Sequence, residues 1–230
     1  MENSKNILEV LREEKFSKDT EKKLEDHLSV KSANDPKCLI AMMKVLVLEQ
    51  YYIQQKDLES FRIVYQKKNL APNQTQFFKM MYDGEAYAQN LLLTMAKKLG
   101  LSQDQLEAYE PNEATQTYPK VIRKIAESEN AIGIAIACGV NFPVWGKMCG
   151  KFRDLFRDNC QWVDEDYGFL SFFATPIPNF DEMILELLPE GRIHLEMIEQ
   201  VSCNVEQLQE SEVLFWDGVY NDAGKFIDTM

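Results

Sequence analysis

Histidine is scarce in this chain of 230 residues, which contains only His27 and His194. A site that holds a metal ion through several imidazoles is therefore not expected. The five cysteines are scattered and form no CxxC motif. An odd number of isolated cysteines, in a chain without a secretory signal, predicts free thiols in a reducing compartment.

Turn residues and long apolar runs are also few. Ten glycines and eight prolines are too few for a sandwich or barrel with many turns. No apolar run is long enough to cross a bilayer, and the charged N-terminus lacks the apolar segment of a signal peptide. These absences predict a soluble cytoplasmic protein with no membrane partner.

Positive charge is in deficit, because the formal net charge is −12. A strongly acidic chain is repelled by the phosphates of nucleic acids and by anionic lipids. The small basic group Lys120, Arg123 and Lys124 is interpreted as a solvated helix face. Motifs for nucleotide cofactors and hydrolase triads are missing as well, including GxGxxG, the P-loop and GxSxG. The sequence thus predicts no nucleic-acid partner, no cofactor and no metal.

Helical periodicity extends along nearly the whole chain. Hydrophobic residues, 45% of the total, recur at intervals of three and four, and strand-like alternation is rare. Ser102 with Gln105 predicts an N-terminal capping box, and Gly100 predicts a helix end. The predicted helices cover residues 3–14, 18–30, 36–55, 57–68, 75–99, 102–109, 113–129, 130–157, 164–173, 180–189, 192–203 and 205–227. The pattern predicts an all-α, multi-helix bundle in a single domain, 1–230, with 1–30 as a helical N-terminal extension.

Three of the apolar helix faces contain a polar residue. They are Leu39, Met43, Leu46, Gln50 and Ile53; Phe78, Met81, Glu85, Ala88 and Leu92; and Val205, Leu208, Glu212, Phe215 and Val219. A polar group that faces a core is costly unless it is hydrogen-bonded or protonated. Several such helices predict an enclosed polar pocket within the bundle, where a helical protein binds a small molecule.

Glu85 and Glu212 are the candidate catalytic residues. Burial raises the pKa of a carboxyl group towards neutrality, which suits general acid–base catalysis. The alternative is structural, with each Glu at the edge of its stripe or paired with a buried Lys or Arg. Gln50, the polar residue of the apolar face from Leu39 to Ile53, is a candidate ligand-binding residue.

The segment 130–157 is apolar and rich in small residues up to Asn141 and Pro143. A proline inside a helix kinks it and frees a backbone carbonyl, which a ligand can use. Asn141, Trp145 and Cys138 are therefore candidate ligand-binding residues. The alternatives are an Asn that satisfies the broken helix locally and a Cys that is a buried, inert thiol.

His194 and the aromatic residues complete the set of candidates. His194 either binds the ligand or is a hydrogen-bonded structural residue. Aromatic side chains on these helices stack either on a flat heteroaromatic ligand or within the core. They are Tyr51, Tyr52, Tyr87, Trp145, Tyr167, Phe215 and Trp216.

Four stretches of the chain carry a resemblance to a known family: 49–52 (EQYY), 141–150 (NFPVWGKMCG), 167–180 and 211–217 (SEVLFWD). Together they resemble the TenA family, thiaminase-II-like proteins with the haem-oxygenase-like fold. The resemblance covers residues from about 35 to 222. The C-terminal stretch 211–217 (SEVLFWD) resembles the family's E-x-x-F-W-[DE] end, and 49–52 (EQYY) resembles its Q-D-Y helix. Residues 141–150 (NFPVWGKMCG) and 167–180 are similar to segments of TenA-like and PqqC-like relatives.

The resemblance implies a pyrimidine site and a role for several residues. The family pattern places an Asp, a Cys and a Glu around the pyrimidine, with a Tyr three residues after the Asp. Matched by position, the Glu falls on Glu212, whereas Gln50 replaces the Asp, Asn141 replaces the Cys and Ile53 replaces the Tyr. Cys138 lies one helical turn from Asn141.

The resemblance implies a divergent protein that binds a small heteroaromatic ligand. Its pocket would be lined by Gln50, Glu85, Asn141, Trp145, His194 and Glu212. In an enzyme of this type, Glu212 would transfer protons during hydrolysis of an aminopyrimidine C–N bond in thiamin salvage. The family's assembly into dimers or tetramers implies a homo-oligomer.

Two alternatives keep the same fold. One is a binding or regulatory protein that retains the pocket without the chemistry. The other is a metal-dependent oxidase, for which Glu85, His194 and Glu212 would be remnants of a metal site. Ala88 lies where a His ligand is expected in such oxidases.

Overall fold

A computed structural model of the chain describes residues 6–128, 132–188 and 195–227. These residues form helices and no strand, which confirms the all-α prediction. The helices are α1 (Ile7–Glu13), α2 (Lys15–Glu25), α3 (Leu28–Ser32), α4 (Pro36–Tyr65), α5 (Pro72–Lys98), α6 (Gln103–Ala108), α7 (Glu113–Glu127), α8 (Ile132–Asn159), α9 (Gly168–Ala174), α10 (Phe180–Leu185), α11 (Leu195–Asp222) and α12 (Gly224–Ile227).

The long helices α4, α5, α7, α8 and α11 build the bundle. Helix α4 packs against α5 and α7, and α11 packs against α7 and α8. Their apolar faces meet in two clusters of buried side chains, one around Trp216 and Phe152 and the other around Phe78 and Ile134. The short helices α1, α2 and α3 pack on α8 and α11, and Leu8 of α1 is fully buried. The division into one domain with an extension at 1–30 stays a prediction.

Local capping explains where several helices begin. Asp35 accepts a hydrogen bond from the Lys37 backbone N–H (2.9 Å), and Pro36 occupies the first helical position of α4. The predicted capping box of α6 is present, because Ser102 and Gln105 each bond to the other's backbone N–H. Gly100 follows α5 with φ of 76°, a conformation that favours glycine.

Two predicted helix breaks are wrong. Helix α4 continues through residues 55–57, and α11 is one helix across residue 204. Neither position contains Gly or Pro, so the polar residues there do not interrupt the helical hydrogen bonds. The continuity of α4 matters for the site, because Asp57 becomes an interior residue of a long helix instead of the start of a new one.

Helix α8 runs through Pro143, and the carbonyl that this proline frees has an internal partner. Pro143 has no N–H to donate to the carbonyl of Gly139, four residues earlier. The Arg12 guanidinium of α1 donates to that carbonyl at 2.6 Å. Arg12 also forms a two-point ion pair with Asp181, at 2.6 and 2.8 Å. This hydrogen bond therefore connects α1 to α8, and the freed carbonyl accepts it from the protein itself and not from a ligand.

Helix α8 is also the one helix, within the ranges described, that is long and apolar enough to span a membrane. The sequence-based expectation of no such run was wrong in this respect. In the structure, 72% of its most apolar 18-residue window is buried inside the bundle. Such burial is typical of the central helix of a helical core.

Gly146 sets the distance between α8 and α9. A Cβ atom at Gly146 would lie 2.7 Å from the backbone oxygen of Phe173, so we expect Gly146→Ala to destabilise the protein by about 1–3 kcal/mol. Gly150, one turn later on α8, is the matched control, since its added Cβ would make an ordinary contact of 3.7 Å with Ala174. Thermal melts of both variants check this, and equal melting temperatures would contradict it.

Candidate active-site cavity

A cavity of about 50 Å³ lies within the bundle, between α4, α5, α7, α8, α9 and α11. This volume is far below the roughly 300–1,000 Å³ of pockets for drug-sized ligands, and it favours a small occupant. The residues that line it are Gln50, Ile53, Gln54, Asp57, Glu85, Thr115, Tyr118, Asn141, Phe142, Trp145, Phe173, Ser211, Glu212 and Phe215. Polar side chains from the five long helices α4, α5, α7, α8 and α11 therefore share one space.

Six of the candidate residues from the sequence line this cavity. They are Gln50, Glu85, Asn141, Trp145, Glu212 and the aromatic Phe215. The three polar stripes thus converge because α4, α5 and α11 place them on faces that meet inside the bundle. His194 lies outside the described residues.

Tyr51 and Cys138 do not line the cavity. Successive helical residues point in directions about 100° apart, so Tyr51 faces away from the cavity that Gln50 faces. The Tyr51 hydroxyl accepts a hydrogen bond from Gln103 at 2.9 Å instead. Cys138 is buried in the apolar cluster around Ile134. Burial, with the nearby Asp57 and Glu85 carboxyls, raises the pKa of the Cys138 thiol well above its ordinary value.

Sequence reasoning missed Gln54, Asp57 and Tyr118. Gln50, Gln54 and Asp57 follow one another at intervals of four and three residues, so they share a face of α4. The stripe that ended at Ile53 in the sequence prediction could have been extended to Asp57 by the same spacing. Tyr118 lies on α7, which was interpreted mainly from its solvated basic residues.

Glu212 is the most isolated polar group of the cavity. Its side chain is 5% exposed, and neither carboxyl oxygen has a hydrogen-bond partner in the protein. Burial raises the pKa of Glu212 to about 8. The polar groups of Asn141 and Trp216 oppose this rise, although neither has the geometry of a hydrogen bond to the carboxyl. Glu212 therefore exchanges its proton near neutral pH.

Glu85 and Asp57 provide the other two carboxyl groups of the cavity. Gln54 donates to Glu85 Oε2 at 2.8 Å, and burial raises the pKa of Glu85 to about 7 against the effect of this bond. Burial first, and then the charge of Glu85, raise the pKa of Asp57 well above its ordinary value. Asp57 is 5% exposed, and its Oδ1 has no partner in the protein.

Glu49, next to Gln50, shows what a structural buried carboxylate looks like in this bundle. It is fully buried and accepts hydrogen bonds from Tyr109 Oη at 2.5 Å and Asn112 Nδ2 at 3.0 Å. The Asn112 backbone N–H adds a third, at 3.2 Å. Such bonds compensate the loss of water around a buried charge. Glu212 lacks them, so the structural alternative raised for it, a pairing with Lys or Arg, does not hold.

Aromatic side chains form the apolar walls of the cavity. Trp145 contacts Phe173 and Phe215 edge-to-face, with ring centroids 5.9 and 5.8 Å apart. Trp216, fully buried behind them, stacks on Phe152 at 4.9 Å. The rings of Trp145, Phe173 and Phe215 present apolar surface to a planar ligand ring.

Two other kinds of site receive less support. Within residues 6–128, 132–188 and 198–227, no three His, Cys, Asp or Glu side chains group in a way that could hold a metal ion. Lys120, Arg123 and Lys124 line a surface depression with Lys56, Glu59 and Glu127. Arg123 pairs there with Glu127 at 2.6 Å and with Glu59 at 3.6 Å, as expected for a solvated ion-pair network.

Solved structures similar to this chain share its architecture. A domain of unknown function with a heme oxygenase-like fold from Shewanella denitrificans OS217 is 16% identical, with a TM-score of 0.75 over 92% of this chain and 91% of that one. A TenA homologue from P. horikoshii OT3 is 15% identical, with a TM-score of 0.70 over 95% and 100%. A candidate TenA-like thiaminase from Sulfolobus solfataricus P2 is 17% identical, with a TM-score of 0.59 over 93% and 95%.

These likenesses confirm the predicted haem-oxygenase-like fold. A comparison with functionally curated proteins gave no match. The family model described as TENA/THI-4/PQQC matches residues 18–222, which is most of the chain. The chain therefore belongs to the TENA/THI-4/PQQC family.

Proposed function

We propose that the cavity binds a small heteroaromatic ligand and hydrolyses a C–N bond attached to its ring. The observation that carries this proposal is Glu212, a buried carboxyl without hydrogen-bond partners that faces a cavity with aromatic walls. An aminopyrimidine of thiamin salvage is the first candidate substrate. A candidate TenA-like thiaminase among the structural relatives supports this choice.

The arrangement suits general acid–base catalysis by Glu212. In hydrolysis of an aminomethyl-pyrimidine, the protonated carboxyl gives its proton to the leaving amine as the C–N bond breaks. A water molecule forms the new C–O bond and returns a proton to the carboxylate, so the products are hydroxymethylpyrimidine and ammonia. A carboxyl group with a pKa near the working pH is effective in both directions.

Gln50 and Asn141 would orient the ring. Both are buried, with 6% and 5% exposure, and both line the cavity with Glu212. Each amide can donate and accept one hydrogen bond, which matches the amino group and the ring nitrogen of an aminopyrimidine. Trp145, Phe173 and Phe215 would pack against the ring faces and edges.

The test is release of hydroxymethylpyrimidine from aminopyrimidine by the purified protein. We expect turnover by the wild-type protein and a large loss in Glu212→Gln. Absence of turnover in the wild-type protein would reject the hydrolase proposal.

The second candidate is a protein that binds the same kind of ligand without chemistry. The cavity favours it in one respect, since Asn141 takes the position of the family's Cys and Cys138 does not line the cavity. For such a protein, aminopyrimidine would raise the melting temperature without release of product. The oxidase alternative stays a prediction, because His194 lies outside the described residues; the iron content of the purified protein tests it.

We further propose a cytoplasmic homo-oligomer. All five cysteines are free thiols, which suits a reducing compartment. Analytical ultracentrifugation measures the oligomeric state directly.

A further inference from the structure

Several fully buried acceptor oxygens of the cavity lining have no hydrogen-bond partner in the part of the protein that the structure describes. Buried oxygens without a protein partner come from Asp57 and Gln54, from Asn141 and twice from Glu212. The Thr115 hydroxyl is a further fully buried polar group of the lining without a protein partner. Each of the four residues that provide these oxygens is at most 5% exposed. A ligand that satisfies them has to bring several N–H or O–H donors.

The cavity also lacks a balancing positive charge. None of its described lining residues is Lys, Arg or His. The titratable groups that line it come from four helices, and they are Asp57 (α4), Glu85 (α5), Tyr118 (α7) and Glu212 (α11). The buried Cys138 thiol of α8 lies near them, outside the lining. All of these groups are neutral or negative. Carboxyl groups crowded in this way favour an added cation.

Asp57 and Glu85 are placed to act together. Gln54 precedes Asp57 by three residues on α4 and donates to one oxygen of Glu85. This bond holds Glu85 of α5 against the face of α4 that carries Asp57. Burial first, and then the charges of neighbours that include Asp57, Glu85 and Glu212, raise the pKa of Tyr118 well above its ordinary value. The phenol therefore lies in the field of all three carboxyl groups of the cavity.

We propose that Asp57 and Glu85 form a second subsite, which binds a planar nitrogen cation of the amidinium type on the ligand. A planar cation with two parallel N–H donors can bond to both carboxyl groups at once. This inference deepens the proposed function, since it gives the substrate a positive charge remote from the group that Glu212 serves. None of the positions matched to the family pattern includes Asp57 or Glu85.

Cation binding at this subsite should release protons. Without a cation, the two buried carboxyls retain a proton because both charges together repel each other and are poorly solvated. A bound amidinium stabilises the charged forms and displaces this proton. The net release, measured by calorimetry in two buffers of different ionisation enthalpy at pH 7, distinguishes such a site from simple surface attraction.

The probe is acetamidine, compared with acetamide, at constant ionic strength. The two molecules have nearly the same shape and differ in charge and in donors. We expect acetamidine to raise the melting temperature in a saturable way, with acetamide binding at least about tenfold more weakly. Asp57→Asn and Glu85→Gln should each weaken acetamidine binding about tenfold or more. Asp83→Asn is the control, because Asp83 is an exposed carboxylate of α5 that pairs with Lys79.

Equal binding of acetamidine and acetamide, or unchanged binding by Asp57→Asn, would overturn the subsite. So would failure of acetamidine to bind the wild-type protein. If either variant does not fold, the comparison of probes and the proton release of the wild-type protein decide. Acetamidine binding without aminopyrimidine turnover would reject the proposed hydrolysis and keep the subsite. Turnover without acetamidine binding would reject the subsite and keep the hydrolysis.

Discussion

Glu212→Gln should lower the rate of aminopyrimidine hydrolysis by about 10²–10⁴-fold, with little change in the fold. Gln fills the same volume and can still contact the ring, but it cannot give a proton to the leaving amine. Because the pKa of Glu212 is about 8, the wild-type rate should fall above pH 8, where the acid form is lost. Product release, followed by chromatography across pH 5–10, measures both effects.

Glu210→Gln is the matched control for this experiment. Glu210 lies on the same helix two residues earlier and is exposed to solvent. The control should retain the wild-type rate and pH profile. A Glu212→Gln variant as active as this control would remove Glu212 from the mechanism.

The same substitution should stabilise the protein at alkaline pH. A carboxyl with an ordinary pKa of 4.5 when unfolded and about 8 when folded binds its proton more tightly in the folded state. The contribution of this proton to the free energy of unfolding is fully present below pH 4.5 and is lost as the pH rises through 8. This difference between the two pKa values corresponds to about 5 kcal/mol of stability. Glu212→Gln, which never ionises, avoids this loss.

Urea unfolding at pH 5 and pH 9 measures the effect. The free energies of unfolding of the wild-type protein and Glu212→Gln should be similar at pH 5, and the variant should be more stable by several kcal/mol at pH 9. Glu210→Gln should follow the wild-type protein at both values, since its carboxyl is exposed. Equal stabilisation by Glu212→Gln at both pH values would contradict a proton-linked origin. A gain in stability together with a loss of activity would show that the buried acid is retained for function.

The sequence allowed much of the fold and part of the site to be predicted. Helical periodicity and capping residues such as Ser102 depend on interactions a few residues apart, so they are visible in the sequence. The same holds for the interruptions of apolar stripes by Gln50, Glu85 and Glu212. Asp57 was missed because the polar residues around it resembled a helix break, although its spacing from Gln50 continues the stripe.

Hydrogen bonds between residues far apart in the chain could not be predicted from the sequence. Pro143 predicts a freed carbonyl, but only the packing of α1 on α8 brings Arg12 to Gly139. Glu49 and Glu212 are both buried glutamates. Glu49 is a structural group because the connection between α6 and α7 places Tyr109 and Asn112 where they donate hydrogen bonds to its carboxylate. Among the residues that the structure describes, Glu212 has no such donors.

By itself, the sequence determined that this protein is an acidic, all-α chain of the TenA type with polar residues on the inner faces of its helices. Periodicity and composition suffice for that, because they reflect local geometry and the general cost of burying polar groups. The tertiary structure decided which of those residues meet in one cavity and which of them have hydrogen-bond partners. It also decided that Asp57 lines the same cavity as Glu85. Those outcomes depend on the rotation and spacing of helices far apart in the chain, which side-chain packing sets and no short stretch of sequence encodes.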